Sequence, residues 1–223
     1  MTKSVELENR VRWASNRLYS RVAPFYATWV RIGSLGAFPG LYREGVAALG
    51  LRAGETVLDM CCGTGELFPY LVDALGADGH IVGCDLSPAM LARAAVRVSH
   101  SGWRNVTLVE AEARELMVPR PIDAAIFSIC LSAIPWRMEV LDHVLALLPP
   151  RAPVVVIDSL AVSGGTVAAL ANLYNRLKGR VIGADPDCGL LRLLEHRLDG
   201  LQVRVAAGGV YSLIAGRVGA DAP

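Results

Sequence analysis

Short hydrophobic runs alternate with longer amphipathic stretches over most of the chain. The runs predict strands at 56–60, 81–84, 106–109, 124–128 and 154–158, and the amphipathic stretches predict helices at 41–49, 66–75, 88–98 and 137–147. The runs are too short for buried helices and are rich in β-branched residues, which favours strands. Strands separated by helices indicate a parallel sheet with helices on both faces.

The two ends of the chain depart from this alternation. Helices are predicted at 4–20, 166–177 and 189–198, followed by strands at 201–206 and 210–215. Only about three small residues separate the last two strands, so they should pair as an antiparallel hairpin. The predicted fold class is therefore α/β: a doubly wound, seven-stranded, mostly parallel sheet with an antiparallel C-terminal hairpin and an N-terminal helical cap.

Composition supports one domain and argues against several kinds of partner. The chain has 223 residues, of which 53% are apolar and 19% charged, as expected for one core built around a buried sheet. Because 22 basic residues nearly balance 21 acidic ones, no nucleic-acid partner is predicted. The N-terminal 31 residues are locally basic and contain two tryptophans, which fits either a helix packed on the domain or peripheral membrane contact.

Cysteine usage and hydropathy bear on the compartment. Five cysteines form no CxxC pair and no zinc-like spacing, and no carboxylate pair stands beside an asparagine, so we expect no metal. An odd cysteine count and the lack of a secretory pattern favour a reducing cytoplasm. No apolar stretch reaches the ~20 residues that a membrane span needs.

The first predicted strand runs into Asp59-Met60-Cys61-Cys62-Gly63-Thr64-Gly65, a glycine loop. Ligands of open α/β sheets bind at such carboxyl ends of strands, and the glycines let the backbone approach closely, while Glu66 is expected to open the next helix. A dinucleotide site would have a small residue where Phe68 stands. A carboxylate also repels phosphate, so the loop favours a cationic nucleoside over a dinucleotide or a plain turn.

A second acid, Asp85, closes the second strand twenty residues after Gly65. A carboxylate there can accept both ribose hydroxyls, although a helix-start carboxylate is the alternative. Ser87 at the N-cap and Pro88 at the first helical position would begin the next helix. Met90 is either a wall for the base or a core methionine.

These segments, Val57 to Gly65 and Gly83 to Leu91, resemble class I S-adenosylmethionine-dependent methyltransferases, and the resemblance covers roughly residues 40–160. It implies a Rossmann-like methyltransferase fold with S-adenosyl-L-methionine as cofactor. It divides the single domain 1–223 into a cap at 1–40, a cofactor-binding core at 41–160 and substrate-side helices with the hairpin at 161–223. Among the cofactor-binding residues it implies are Asp59, Met60, Cys61, Gly63, Thr64 and Gly65 around the methionine moiety, with Asp85 and Leu86 at the ribose.

The same resemblance extends to three later or earlier segments. Glu112 and Ala113 would contact the adenine, with a plain surface acid as the alternative for Glu112. Ser128, Ile129 and Leu131 would lie beside the sulfonium in a segment similar to bacterial phosphatidylethanolamine and betaine-lipid N-methyltransferases and to ubiquinone/menaquinone C-methyltransferases. Tyr19 and Tyr26 would roof the sulfonium, or else pack in the core.

Methyl transfer needs alignment and desolvation first, and a base only where the acceptor must lose a proton. No catalytic residue is assigned, and each of the four histidines is expected to be structural. The acceptor is expected to be small or lipid-like, methylated on N, O or C, with Trp136 and Tyr174 as candidate substrate residues. Transfer of the aminocarboxypropyl group of the same cofactor, or a non-catalytic binding module, remain alternatives.

Overall fold

The computed structural model describes Ala23 and residues 36–219, with the side chains of 181 and 182 excepted. The helix predicted at 4–20 and both roofing candidates, Tyr19 and Tyr26, lie outside the described residues.

Helices and strands alternate through the described residues as the hydrophobic pattern predicts. The helices are α1 (Phe38–Leu49), α2 (Phe68–Leu75), α3 (Pro88–Ser101), α4 (Arg137–Ala146), α5 (Gly165–Ile182) and α6 (Leu190–Glu195). The strands are β1 (Thr56–Met60), β2 (His80–Asp85), β3 (Val106–Glu110), β4 (Ala124–Ser128), β5 (Pro153–Asp158), β6 (Leu198–Ala206) and β7 (Tyr211–Val218). Short 3₁₀ turns occupy Ala113–Glu115, Leu131–Ala133 and Ala207–Gly209.

All seven strands form one sheet in the order β3-β2-β1-β4-β5-β7-β6. The first five strands along the chain pair in parallel, and β7 is antiparallel to both β5 and β6. The predicted fold class and the terminal hairpin are therefore confirmed. Strand order reverses between β1 and β4, which creates the switch point where open α/β sheets bind ligands.

Alternate residues of the central strands divide the interior into two cores. On one face, Val57, Ile81 and Ile126 pack under α1, α2 and α3. On the other face, Leu58 and Phe127 pack under α4 and α6. Because both faces are covered, β1 is buried along its whole length, which explains its continuous apolar run.

Helix α1 lies very close to the sheet because Gly45 has no side chain. A Cβ at that position would stand 2.8 Å from Cδ1 of Ile157 on β5. The close approach places Phe38 of α1 against Tyr211 at the start of β7, and Tyr42 near Ser128 at the end of β4.

Several element boundaries differ from the prediction, and two of the differences have identifiable reasons. Helix α2 begins at Phe68, with Pro69 in its first turn, and Glu66 instead pairs with Arg97 of α3. The expectation that Glu66 opens the helix is therefore wrong. Helix α6 ends at Glu195, short of the predicted 198, because Leu198 already pairs with Val218 of β7.

Candidate active site

Polar groups without partners collect where β1, β2 and β4 end. Asp59 of β1 is completely buried, and neither carboxylate oxygen has a hydrogen-bond partner within the described part of the chain. The hydroxyl of Ser87, just past the end of β2, also has no partner there, and the buried hydroxyl of Ser128 at the end of β4 lies near that of Tyr42. Buried polar atoms are nearly always paired in folded proteins, so this cluster is where a ligand would supply the missing partners.

Burial makes the carboxyl of Asp59 hard to ionise. Desolvation, with a smaller contribution from nearby Asp85, raises the pKa of Asp59 well above its ordinary value. In the register of the sheet, Asp59 lies between Gly83 of β2 and Ile126 of β4, and the glycine adds no side chain beside it. A ligand carrying positive charge would stabilise the ionised carboxylate here.

The loop after β1 bends through left-handed backbone conformations. Cys61 has φ 59°, Gly63 has φ 55° and Gly65 has φ 74°. Gly65 also has to be glycine for space, since a Cβ there would stand 2.6 Å from the ring of Phe68, which is fully buried beneath the loop. Cys61 has no such freedom, and a non-glycine residue in this conformation is strained.

Asp85 ties the end of β2 to this loop. Its Oδ2 accepts from the amide of Gly63 at 2.9 Å, and its Oδ1 accepts from the amide of Ser87 at 2.9 Å. Ser87 stands at the N-cap of α3 and Pro88 follows in the first turn, as predicted, although the hydroxyl of Ser87 makes no capping bond. Each carboxylate oxygen keeps a further lone pair, and ribose binding by Asp85, next to Leu86, stays a prediction.

Glu112 lies in the interior. Its side chain accepts from Nε1 of Trp136 at 3.1 Å and from Nε of Arg114 at 3.1 Å, and the residue is 5% exposed, which excludes the surface-acid alternative. Ala113 follows in a buried 3₁₀ turn. Trp136 therefore lies at the β3 side of the sheet beside the proposed adenine contacts, and its role in acceptor binding stays a prediction.

Met90 is buried in the first turn of α3 but belongs to neither of the two packed hydrophobic cores of the described residues. Its place in a wall of the ligand site stays a prediction.

The turn after β4 is bonded to the glycine loop through a sulfur atom. The thiol of Cys130 donates to the carbonyl of Met60 at 3.8 Å. Ile129 has φ 55°, a strained conformation for a β-branched residue, and its amide donates to the carbonyl of Ile157 at 2.7 Å. The side chain of Leu131 is fully buried in the core, so a cofactor contact there would come from its backbone.

A second polar cluster, which the sequence did not indicate, lies past the end of β5. Asp158 is fully buried and accepts from the amide of Ser132 at 2.9 Å, the hydroxyl of Ser132 at 2.6 Å and the amide of Ser159 at 2.7 Å. The Nζ of Lys178 on α5 donates to the hydroxyl oxygen of Ser159 at 2.7 Å. The sequence carried one usable signal for this cluster: Lys178 is one of only two lysines in the chain.

The histidines lie away from both clusters. His80 contacts Thr107 at the opposite end of β2, His143 bonds to the carbonyl of Leu116, and His196 bonds to the carbonyl of Arg192. His100 stands in the last turn of α3. Among residues 36–219, no three His, Cys, Asp or Glu side chains group in a way that could hold a metal ion.

A cavity of about 660 Å³ opens beside the hairpin, next to the start of α1. Its lining comes from the first turns of α1, the start of α5 and the turn joining β6 to β7: Ala37, Gly40, Leu41, Glu44, Val162, Ser163, Gly164, Val167, Ala168 and Arg204 to Gly209. Most of these residues are small or apolar. In the part of the chain that the structure describes, no helix is long and apolar enough to cross a membrane.

Comparisons with known proteins agree with this geometry. The family model described as a methyltransferase domain matches residues 57–151. Demethylmenaquinone methyltransferase from Listeria monocytogenes is 26% identical over 145 residues, which cover 65% of this chain and 61% of that protein. The chain thus spans about three fifths of the length of this curated relative.

Solved structures share the fold. A S-adenosylmethionine-dependent methyltransferase from Aquifex aeolicus aligns with TM-score 0.60 at 21% identity, over 79% of this chain and 89% of that one. Human N-acetylserotonin methyltransferase, solved with S-adenosylmethionine, aligns with TM-score 0.63 at 18% identity, over 82% of this chain and 53% of that one. Residues 57–151 thus match a methyltransferase domain, and the strand order is that of the S-adenosylmethionine-dependent methyltransferase fold. Together with the curated relatives, these matches support a class I S-adenosylmethionine-dependent methyltransferase.

Proposed function

We propose that this protein transfers a methyl group from S-adenosylmethionine to a small or lipid-like acceptor. The observation that carries the proposal is Asp59, a fully buried carboxylate with two unpartnered oxygens at the switch point of the sheet. The methionine end of the cofactor carries an ammonium group and a sulfonium. These would supply the positive charge and hydrogen-bond donors that the buried carboxylate of Asp59 lacks.

The residues around Asp59 fit the rest of the cofactor. Asp85 has lone pairs left for ribose hydroxyls, and Glu112 with Ala113 lies where the base would extend along the β3 side. The buried hydroxyls of Ser87 and Ser128 stand at the ends of the two flanking strands. A dinucleotide would instead put phosphates beside two buried carboxylates, which repel them.

The bound cofactor supplies a methyl carbon activated by positively charged sulfur. The chain's own residues then have three tasks: to hold the nucleoside, to keep water out and to align the acceptor with the methyl group. The end of β4, with Ser128 and Ile129, lies between the cofactor-side cluster and the cluster at the end of β5. We place the transferred methyl group at that strand end.

The acceptor is proposed to be apolar and to enter from the α1 and α5 side. The cavity of about 660 Å³ beside the hairpin gives room for an apolar tail, and its lining offers few polar groups other than the ion pair of Glu44 and Arg204. The curated relative acts, by its name, on demethylmenaquinone, so a quinol-type acceptor is the first one to test.

Calorimetric titration with S-adenosylhomocysteine tests the cofactor. Wild type should bind, and Asp85→Ala and Asp59→Asn should each weaken binding at least about tenfold, since a hydrogen bond to a charged group contributes about 1.5–3 kcal/mol. Asp73→Asn, on the exposed side of α2, is the matched control and should bind like wild type. Absence of wild-type binding at millimolar cofactor would contradict the proposal.

The reaction type is tested by the fate of a labelled methyl group. With methyl-labelled cofactor and a panel of acceptors, the label should move to the acceptor. Label kept on the nucleoside product while the acceptor gains mass would show aminocarboxypropyl transfer instead. Binding without any transfer across the panel would favour the non-catalytic alternative.

A further inference from the structure

Lys178 contacts the end of the strand next to the one at whose end we place the methyl group. Its Nζ bonds to Ser159, the first residue after β5, and β5 is the immediate neighbour of β4 in the sheet. Adjacent strands are about 5 Å apart, so the amine lies close to the strand end at which we place the reaction. This inference rests on the proposed function.

Asp158 and Ser159 hold the amine in place. Among the described residues, the hydrogen bonds that Asp158 accepts come from Ser132 and Ser159, so its carboxylate fixes the backbone that carries the hydroxyl of Ser159. Ser159 then accepts one bond from Lys178. A buried, fully bonded carboxylate that orients a reactive group through a hydroxyl is an arrangement suited to proton transfer.

Aromatic rings form the walls around the amine. Nζ of Lys178 lies 4.6 Å from the ring centre of Tyr211 and 5.6 Å from that of Tyr174. Tyr211 packs on Phe38, and Phe38 stacks on Tyr42 of α1. Burial raises the pKa of Tyr42, and the nearby hydroxyl of Ser128 opposes the rise, so this row of rings reaches the end of β4.

A buried amide oxygen without a partner lies on the same helix as Lys178. Asn175, one turn before Lys178 on α5, is 1% exposed, and its Oδ1 has no hydrogen-bond partner among the described residues. Its Nδ2 donates to the carbonyl of Val210 at 3.0 Å, which fixes the amide in place. An acceptor with a hydroxyl or amine could supply the missing donor.

The residue type is informative as well. Of the 22 basic residues only Lys3 and Lys178 are lysines, and an arginine could not lose its proton. Desolvation lowers the pKa of Lys178 to about 8, against an opposing effect from Asp158. The titratable groups facing the amine are Asp158 from the end of β5, Tyr211 from β7 and Tyr174 from α5 itself.

We propose that Lys178 is the catalytic base of this enzyme and that the acceptor is a phenol, hydroquinone or enol. The neutral amine takes the proton of the acceptor hydroxyl. The electron pair left on that oxygen, or on the ring carbon conjugated with it, forms the bond to the methyl carbon, and the electrons of the broken carbon–sulfur bond stay on sulfur. After attack by a ring carbon, that carbon loses its own proton and the oxygen regains one, which restores the aromatic ring. One proton per methyl group leaves Lys178 for solvent.

The pKa of the base restricts which acceptor hydroxyl it can deprotonate. A phenolic hydroxyl has a pKa of about 10 in water, close enough to that of Lys178 for efficient proton transfer. An aliphatic alcohol is far too weak an acid for this amine. The flat walls of Tyr211 and Tyr174 suit a planar ring.

Direct titration of the amine is the first test and needs no acceptor. Reductive methylation with ¹³C-formaldehyde labels only Lys3, Lys178 and the amino terminus, and Lys178→Arg assigns the signal. We expect this signal to titrate near pH 8, compared with an ordinary lysine value of 10.5. Titration above pH 10 in the intact protein would overturn the proposal.

Kinetics with a short-chain demethylated menaquinol, kept reduced, form the second test. Lys178→Met and Lys178→Arg should each lower kcat/KM at least about a hundredfold, the usual contribution of a general base, while affinity for S-adenosylhomocysteine stays within twofold. Wild-type kcat should rise with pH towards a plateau above pH 8. Arg180→Met, on the exposed side of α5, is the control and should behave as wild type.

Two further results separate a base from a structural lysine. Added ethylamine should restore part of the activity of Lys178→Ala. Retention of activity by Lys178→Arg, or loss of cofactor affinity in all three variants, would overturn the role of Lys178 and leave the proposed function standing. Failure of wild type to bind S-adenosylhomocysteine would instead remove the proposed function itself.

Discussion

Asp59 and Asp158 are both completely buried carboxylates, at the ends of β1 and β5, and they lie on either side of β4. Asp158 accepts hydrogen bonds from two amides and a hydroxyl and has Lys178 nearby. Asp59 has no hydrogen-bond partner within the described residues and stands close to another carboxylate. The carboxylate of Asp158 is therefore part of the scaffold, whereas that of Asp59 is free to bind a ligand.

The difference shows how to separate structure from function among buried charges. A carboxylate whose lone pairs are filled by the protein stabilises its surroundings, and its loss should be costly in the ligand-free protein. An unpaired carboxylate destabilises the ligand-free protein, and only the binding of a cation offsets its desolvation. Replacing each acid by its neutral isostere should therefore have opposite effects on stability.

Asp158→Asn should produce the largest change. An amide group cannot accept all three donors, so the variant should lose about 3 kcal/mol of unfolding free energy, as expected for a disrupted buried network. Urea unfolding of the ligand-free protein measures this. A variant as stable as wild type would mean that the bonds of Asp158 contribute little, and the contrast with Asp59 would fail.

Asp59→Asn should behave in the opposite way. The ligand-free variant should unfold at a higher temperature than wild type, while its affinity for S-adenosylhomocysteine falls about 10- to 100-fold. Thermal unfolding with and without ligand gives both quantities from one sample. An Asp59→Asn protein that is less stable without ligand would indicate a partner for this carboxylate in the folded chain.

The pH dependence of stability should also distinguish wild type from Asp59→Asn. Because folding raises the pKa of Asp59, its contribution to stability is fully present below the unfolded-state value of 3.8 and is lost as pH rises through the folded-state pKa. Ligand-free wild type should therefore lose stability relative to Asp59→Asn over that range. Parallel stability curves for the two proteins would argue against a raised pKa.

Cofactor binding should also release protons where Asp59 is still protonated. Binding enthalpies of S-adenosylhomocysteine measured in buffers of different ionisation enthalpy should reveal up to one proton per site for wild type. The release should be smaller for Asp59→Asn.

Cys61→Gly should have the smallest effect. Left-handed backbone costs a non-glycine residue about 1–2 kcal/mol, so glycine at this position should stabilise the loop by up to about 1 kcal/mol after its own entropy cost. Chemical denaturation measures the gain. Gly63→Ala, at φ 55° in the same loop, is a matched reverse change and should destabilise the protein.

The cofactor side of the site could be predicted from sequence because it is local. Asp59, Gly63 and Gly65 stand within one strand, loop and helix, and Asp85 closes the next strand, so spacing along the chain determines spacing in the fold. Even there, sequence left a choice open that packing decides: Glu112 is buried and bonded to Trp136 and Arg114.

The acceptor side could not be predicted in the same way because its parts come from distant segments. Strand β7 inserts between β5 and β6 and brings Tyr211 beside Asp158, about fifty residues earlier in the chain, while α5 adds Lys178 from above. No local sequence pattern predicts that these distant residues come into contact. Only the scarcity of lysine in an arginine-rich chain hinted at a special position.

The unpaired Asp59 has a consequence for how quickly the protein is degraded in a cell. A ligand that binds only the folded chain protects it in proportion to how far its concentration exceeds the dissociation constant. Molecules made when the nucleoside is scarce would open more often and be degraded sooner. Abundance of the enzyme would thereby follow supply of its methyl donor without any dedicated regulator.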